Sequence, residues 1–418
     1  MAEPGQAEEP PSKHSLLRLL SAGTSFFVAG VNDGSLGALI PHIIRTYGLS
    51  TAIASSIYAS SFAGWLLTAL TNTHISQHLD LGAMLLLGAG LQVVAQLLRC
   101  WPTPPFGLYV VTFCLASLGQ AYNDTHANTY VAGRKEGTSH RWLGFIHAMY
   151  MAGCLVGPFA AASIADGGTG RWWLFYAVPL GMGVGNMVLA GVAFGDTVRV
   201  LKVERRGVDV DLGAVGEGVP QRRAMDLLKE TLTKRSVWCL NIFFFFYVGA
   251  TVTAGGWVVE YLVSVRNGDI AEMGYVSAGF NGGGLLGRIL LPEPTHRFGE
   301  RKMLFIYALC SLGLQLLFWL VPNIIAASIS ISLLGFFLGP NFSTGISVGT
   351  RIFPRDISPT AISFLFVFAQ MGGSLFPIVT GILAAYVGVS VLQPVMIGLL
   401  AAMAVSWLLV PQPVKEKV

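Results

Sequence analysis

Charge is what this sequence has least of. Only 11% of its 418 residues are Asp, Glu, Lys or Arg, against about 25% in soluble domains. Cysteine is scarce as well, five in all, with neither a CxxC pair nor a Cys/His metal spacing; this excludes a disulfide-stapled secreted fold and gives no reason to expect a metal or other cofactor. A Gly-rich phosphate loop ending in Lys-Ser/Thr is missing, which excludes an ATP-driven pump. Blocks of like charge are missing too, and a net charge of +4 implies no nucleic-acid partner. Residues 1–18 lack a signal-peptide pattern and read as a disordered cytosolic tail.

Apolar side chains are abundant, at 53%. They fall into twelve runs near 19–45, 50–72, 81–99, 106–131, 142–165, 172–195, 237–264, 273–292, 303–321, 324–349, 358–386 and 389–410. Each is long enough to cross a bilayer as a helix. One long connection, 196–236, divides them six and six. The expected organisation is therefore a tail (1–18), a six-helix bundle (19–195), a cytoplasmic central loop (196–236), a second bundle (237–410) and a tail (411–418). Ala224 to Lys234 reads either as a short amphipathic surface helix or as a solvated linker. Of 26 Lys and Arg, 22 lie on the side of the tails and central loop, leaving Arg45, Arg99, Arg171 and Arg266 for the loops opposite. Excess positive charge marks the cytoplasmic face, so both termini are expected inside. The plasma membrane is preferred over the vacuolar membrane.

An internal repeat supports the division. Phe26-Phe-Val-Ala-Gly30 aligns with Phe245-Phe-Tyr-Val-Gly249, and at the same offset of 219 Phe145, Gly153 and Pro158 fall on Phe364, Gly372 and Pro377. In span five, Gly153-Cys-Leu-Val-Gly157-Pro158 combines glycines that permit close helix approach with a proline that removes a backbone donor. After span eight come Gly283-Gly-Leu-Leu-Gly287-Arg288 and Arg297-Phe-Gly-Glu-Arg301-Lys302. Two duplicated six-helix halves, a GxxxGP motif in span five and a basic loop after span eight resemble the major facilitator superfamily. The resemblance implies an all-α membrane protein, with twelve transmembrane helices in two pseudo-symmetric six-helix bundles. The acid that usually precedes the loop arginine is absent, with Gly287 in its place. Gating roles nevertheless fall by position on Glu260, Arg288, Arg297 and Arg301.

Only Asp33, Asp124 and Glu260 are acids well inside the spans. A charge at membrane depth costs at least ~2.5–3.5 kcal/mol on insertion scales, so such groups face a cavity, carry a proton or pair with something. Glu260 lies near the end of its span. Asp33 sits in Gly30-Val-Asn-Asp-Gly34-Ser-Leu-Gly37-Ala-Leu-Ile-Pro41, where three glycines and a proline predict a weakened, bent helix. In span four, Gln120, Asp124 and Asn128 recur every four residues on one face, beside Tyr122, His126 and Tyr130. Nine of the eleven residues from 120 to 130 can hydrogen-bond, so this helix should line a polar cavity. The Asn123-Asp-Thr125 sequon lies at membrane depth, where it is not glycosylated.

The run Val31-Asn32-Asp33-Gly-Ser-Leu-Gly-Ala-Leu-Ile-Pro41-His42 is similar to the first helix of the fucose permease-like family of sugar:proton symporters. Asp124-Thr-His-Ala-Asn128 resembles that family's fourth-helix pattern. The resemblance implies proton coupling and sugar binding at Asp33 and Asp124. This chain departs from its relatives in carrying Thr251 where many have an acid. The expected protein is a proton-coupled secondary transporter of a small, sugar-like solute, working by alternating access as a monomer in the lipid bilayer, and not an enzyme. Asn32, Gln120, Asn123, Asn128 and Gln370 would hold solute oxygens. Trp257 and Tyr261 would form an apolar platform or anchor at the interface. His126 and His147 would relay protons or join helices. Two alternatives stay open, a proton-driven exporter of an organic metabolite and a non-transporting nutrient sensor.

Overall fold

The structure is a computed structural model that describes residues 13–133, 139–166, 170–200, 224–354 and 356–411. Of the expected tails at 1–18 and 411–418, residues 1–12 and 412–418 lie outside the described residues, as does the loop stretch 201–223; residues 13–18, expected to be disordered, are helical.

Helices account for nearly everything described. In the first half they are α1 (Lys13–Tyr47), α2 (Thr51–Ala54), α3 (Ser56–Ile75), α4 (Leu81–Arg99), α5 (Phe106–Ala132), α6 (Ser139–Asp166) and α7 (Ala177–Ala193). The loop helix α8 (Ala224–Thr233) then occupies the segment with the amphipathic pattern. The second half holds α9 (Arg235–Ser264), α10 (Ile270–Leu290), α11 (Pro292–Phe298), α12 (Glu300–Leu320), α13 (Ile324–Leu338), α14 (Asn341–Ile352), α15 (Ser358–Val387) and α16 (Leu392–Leu409). Among the described residues, ten helical segments are long and apolar enough to cross a membrane. Two more, α5 and α10, reach 27 and 21 residues but carry more polar side chains. A helix satisfies its own backbone groups in hydrocarbon, which is why the spans take this form. Side chains mark several starts: Asp80 accepts from Leu81 N at 2.7 Å, and Asn323 accepts from Ala326 N at 3.0 Å. Gly388, at φ 89°, stops α15 with a backbone conformation that other residues avoid.

The duplicated motifs pack alike. Gly153 and Gly157 of α6 lie so close to α1 that an added Cβ would overlap the Phe27 and Val31 carbonyls. Gly372 of α15 lies as close to the Phe245 carbonyl of α9. The small residues are thus the points where helix backbones touch. At the chain-terminal end of the first half, Arg18 donates to Asp196 at 2.6 Å and to the Ala193 carbonyl at 3.0 Å, closing off the end of α7. The Arg18 guanidinium holds the Asp196 carboxyl, outside the spans, below the usual carboxylate range. Arg301 performs a similar task in the second half, donating to the Leu408 carbonyl at 2.6 Å.

Two sequence expectations change here. Glycines and Pro41 do not break α1, which runs unbroken through Asp33. Gly30 and Gly34 instead abut the backbone of α6 at Tyr150 and Cys154, and Gly37 abuts Gly255 of α9. The interruption falls in span ten, between α13 and α14 at Gly339-Pro340. Pro340 supplies no N–H, and the Asn341 amide donates to the Phe337 and Leu338 carbonyls at 3.0 and 3.1 Å. The second change concerns Arg99. The charge count assigns it to a loop, yet it closes α4 and is 0% exposed.

Candidate functional site

The halves meet at the end remote from the chain termini, here called the distal end. Thr51 donates to the Gly381 carbonyl at 2.8 Å, and the Ser163 and Tyr275 hydroxyls lie 3.1 Å apart. Tyr58 and Trp257 stack obliquely with ring centroids 6.4 Å apart, and Phe159 meets Tyr275 edge-on at 5.2 Å. Three pairs of small residues interlock there: Gly37 with Gly255, Ala162 with Gly274, and Ser55 with Gly381. Nearer the termini, Met151 of α6 lies against Gly284 of α10, and His147 lies against Phe342 at 6.3 Å. Meanwhile α5 packs mainly on α3 and α4 of its own half.

Asp33 stands midway along α1 and is exposed, although α1 is covered by α6, α7 and α9. An exposed carboxylate in the middle of a helix bundle faces an internal cavity. Three donors converge on it. Oδ2 accepts from Gln120 Nε2 at 2.8 Å and from the Tyr150 hydroxyl at 3.0 Å, while Oδ1 accepts from Asn32 Nδ2 at 3.1 Å. Behind Asn32 lies a second tier. Its amide oxygen accepts from Gln96 Nε2 at 2.9 Å and from Arg99 Nη1 at 2.8 Å. Arg99 Nε donates to Thr112 Oγ1 at 2.7 Å, and the guanidinium lies 3.8 Å from the Phe113 ring centroid.

The remaining residues singled out in the sequence divide. Asp124 lies near enough to Asp33 to interact through charge, and its buried Oδ1 has no hydrogen-bond partner among the described residues. His126 pairs through Nε2 with Asn72 Oδ1 at 2.9 Å, bridging α5 and α3. Asn128 and Gln370 are half-buried, on α5 and α15. Trp257 is fully buried, donates to the Pro377 carbonyl at 3.0 Å and belongs to the distal contact. Tyr261 is buried beside Phe318, at a centroid distance of 5.3 Å. Glu260 is buried on α9 and accepts from Ser264 at 2.5 Å. The candidate gate residues are scattered: Arg288 turns inward over Phe342 at 5.3 Å, Arg297 is exposed beside Phe298, and Arg301 caps α16. Glu300 forms its ion pair with Arg351, within the second half.

Asn123 faces away from the cavity. With its amide oriented to satisfy both ends, its nitrogen donates to the Leu85 carbonyl at 2.9 Å and its oxygen accepts from Gln92 Nε2 at 3.0 Å. It fastens α5 to α4. Asn123→Leu leaves Gln92 without that partner, and an orphaned buried polar group costs ~1–3 kcal/mol. The variant should therefore melt earlier in detergent while the half-saturating solute concentration in counterflow stays unchanged. A large rise in that concentration would return Asn123 to the solute site.

Sequence reasoning missed Arg99, Gln96 and Tyr150. A usable signal existed for two of them: Gln92, Gln96 and Arg99 are spaced four and three apart and so share one helical face.

Two halves of membrane-length helices, with a carboxylate exposed midway along α1, have the architecture of a membrane carrier. The family model of the Major Facilitator Superfamily matches residues 22–348 and, in a second match, 267–418. The chain belongs to that superfamily. Bypass of stop codon protein 6 of Saccharomyces cerevisiae is 26% identical, over 96% of this chain and 83% of that protein. Among solved structures, a bacterial homologue of the human lysosomal transporter Spinster, inward-facing and unoccupied, superposes with a TM-score of 0.65 at 13% identity, covering 96% of this chain and 95% of the other. The Escherichia coli fucose:proton symporter gives a TM-score of 0.64 at 16% identity, covering 94% and 98%. These likenesses establish the fold of a secondary transporter and leave the solute open.

Proposed function

We propose that the protein is a proton-coupled carrier of a small polyhydroxylated solute, with Asp33 as the proton-binding group and with both chain termini in the cytoplasm, at the plasma membrane. The reading rests on one observation, the exposed Asp33 carboxylate with three donors directed at it. Such a ring suits a carboxylate. Adding a proton turns one oxygen into a donor, which then needs an acceptor. The Tyr150 hydroxyl can rotate to supply one; the Asn32 and Gln120 amides, as oriented, present N–H. A solute hydroxyl beside Asp33 supplies another, so solute and proton favour each other's binding. Gln120 on α5 is already at the carboxylate, with Asn128 two turns further along the same face.

Protonation also removes a charge that is expensive to move through a closed site. The loaded carrier can then open the distal contact and close the opposite end, in the rocking of two halves about a central site. By the distribution of Lys and Arg, the distal end is extracytoplasmic, so the contact there seals the side away from the cytoplasm. The likeness to the fucose:proton symporter supports a sugar-like solute. Counterflow in proteoliposomes with L-fucose, D-glucose, mannitol and D-glucuronate, against a panel of amphiphilic amines, tests the class. Exchange of a hydroxylated compound, stimulated by an inward proton gradient, is expected. Exchange of the amphiphiles alone would replace this reading with that of an exporter.

A further inference from the structure

The most heavily engaged charge in the first half is one that the sequence assigns to a loop. Arg99 is 0% exposed and enclosed by Thr112 and Phe113 of α5, Gln96 of its own helix, Asn32 of α1 and the Tyr176 ring 5.3 Å away. Among the described residues it has no ion-pair partner, and Nη2 has no hydrogen bond. A buried guanidinium without a counter-charge is costly. The carboxylate its charge acts on is Asp33, on the far side of Asn32.

Asn32 connects them in one sense only. Its oxygen is held by two donors, Gln96 and Arg99, so its nitrogen must face Asp33. Turning that amide over would set its N–H groups against the N–H groups of Arg99 and Gln96. As long as Arg99 is in place, Asn32 can give Asp33 Oδ1 a hydrogen bond and cannot accept one. A proton on Asp33 is therefore confined to Oδ2, the oxygen that faces Gln120 and Tyr150.

We propose that Arg99 is a positioning residue which, by locking the Asn32 amide, keeps Asp33 ionised in the empty carrier and directs its proton to the oxygen shared with Gln120 and Tyr150. The idea builds on the assignment of Asp33 as the proton-binding group. The other titratable groups facing Asp33 are Tyr150 and Cys154 of α6 and Asp124 of α5. On α7, Tyr176 faces Arg99, not Asp33. On α9, Glu260 lies toward Arg45; on α10, Arg288 lies toward His147, Tyr247 and Cys154.

Infrared difference titration of the purified full chain tests this without any solute. The carboxylic-acid C=O band that disappears in Asp33→Asn reports Asp33 protonation directly. In Arg99→Gln, the midpoint of that band should move to higher pH by about one unit or more, equivalent to ~1.4 kcal/mol of lost differential interaction. Arg99→Lys, which keeps the charge, should stay nearer the wild type. Solute-free proton entry into proteoliposomes, followed with a trapped pH dye, should rise in Arg99→Gln. If Arg99→Gln does not fold, Asn32→Ala serves, because it cuts the same link and must shift the midpoint the same way. A folded Arg99→Gln or Asn32→Ala protein with the wild-type midpoint overturns the proposal. Failure of the transport reading would look different: the Asp33 band would titrate and respond to Arg99, yet no solute would move with protons.

Discussion

Asp33→Asn is expected to abolish accumulation of solute against its gradient while leaving counterflow in place. Asn keeps the size of the side chain, and its amide oxygen can still accept from Gln120 and Tyr150, while its NH2 group meets the Asn32 N–H and loses that one hydrogen bond. It cannot exchange a proton at any physiological pH. The variant should therefore exchange labelled for unlabelled solute at near wild-type rates and ignore an imposed pH gradient. At a driving gradient of two pH units the wild type gains about 2.7 kcal/mol per proton, roughly a hundredfold in accumulation, and the variant should lose all of it. The loss should be independent of external pH.

Gly37→Ala should lose transport for another reason. The added Cβ would overlap the Gly255 carbonyl across the distal contact, and a backbone atom has no rotamer by which to yield. Overpacking of this kind costs ~1–3 kcal/mol. Because Gly37 meets the opposite half only when the distal end is closed, that cost falls on one conformation. The equilibrium should shift toward the distally open state by roughly 5- to 150-fold. Spin labels on the distal ends of α2 and α15 should report a longer distance in Gly37→Ala than in the wild type, with an unchanged melting temperature. Gly153→Ala is the contrasting control. It meets Phe27 within the first half, so it should lower stability without favouring either state.

These two glycines show what was readable in advance and what was not. Span positions are legible because crossing hydrocarbon demands about 20 apolar residues with an internally satisfied backbone. Asp33 and Gln120 are legible as site residues because polar groups at that depth are rare and need a reason. Glycine is ambiguous: Gly30, Gly34 and Gly37 read as a weak point in a helix, whereas each proves to be a contact with another helix. Only the neighbouring backbone decides between those meanings. Arg99 fails for a related reason. At the end of an apolar run, an arginine looks the same whether it enters solvent or folds back, and its direction is set by Phe113, Thr112 and Asn32 from other helices. Trp257 and Asn123 carry the right chemistry for a solute site, but their partners, the Pro377 carbonyl and α4, lie on other helices.

Proton movement driven by solute alone tests the central claim most directly. Proteoliposomes with a trapped pH dye and no initial pH gradient are given an inward gradient of the sugar that scores in counterflow. If Asp33 takes its proton together with the solute, the lumen acidifies in step with solute entry, and Asp33→Asn vesicles show entry without acidification. Solute entry with no pH change in the wild type, or with alkalinisation of the lumen, would contradict the account.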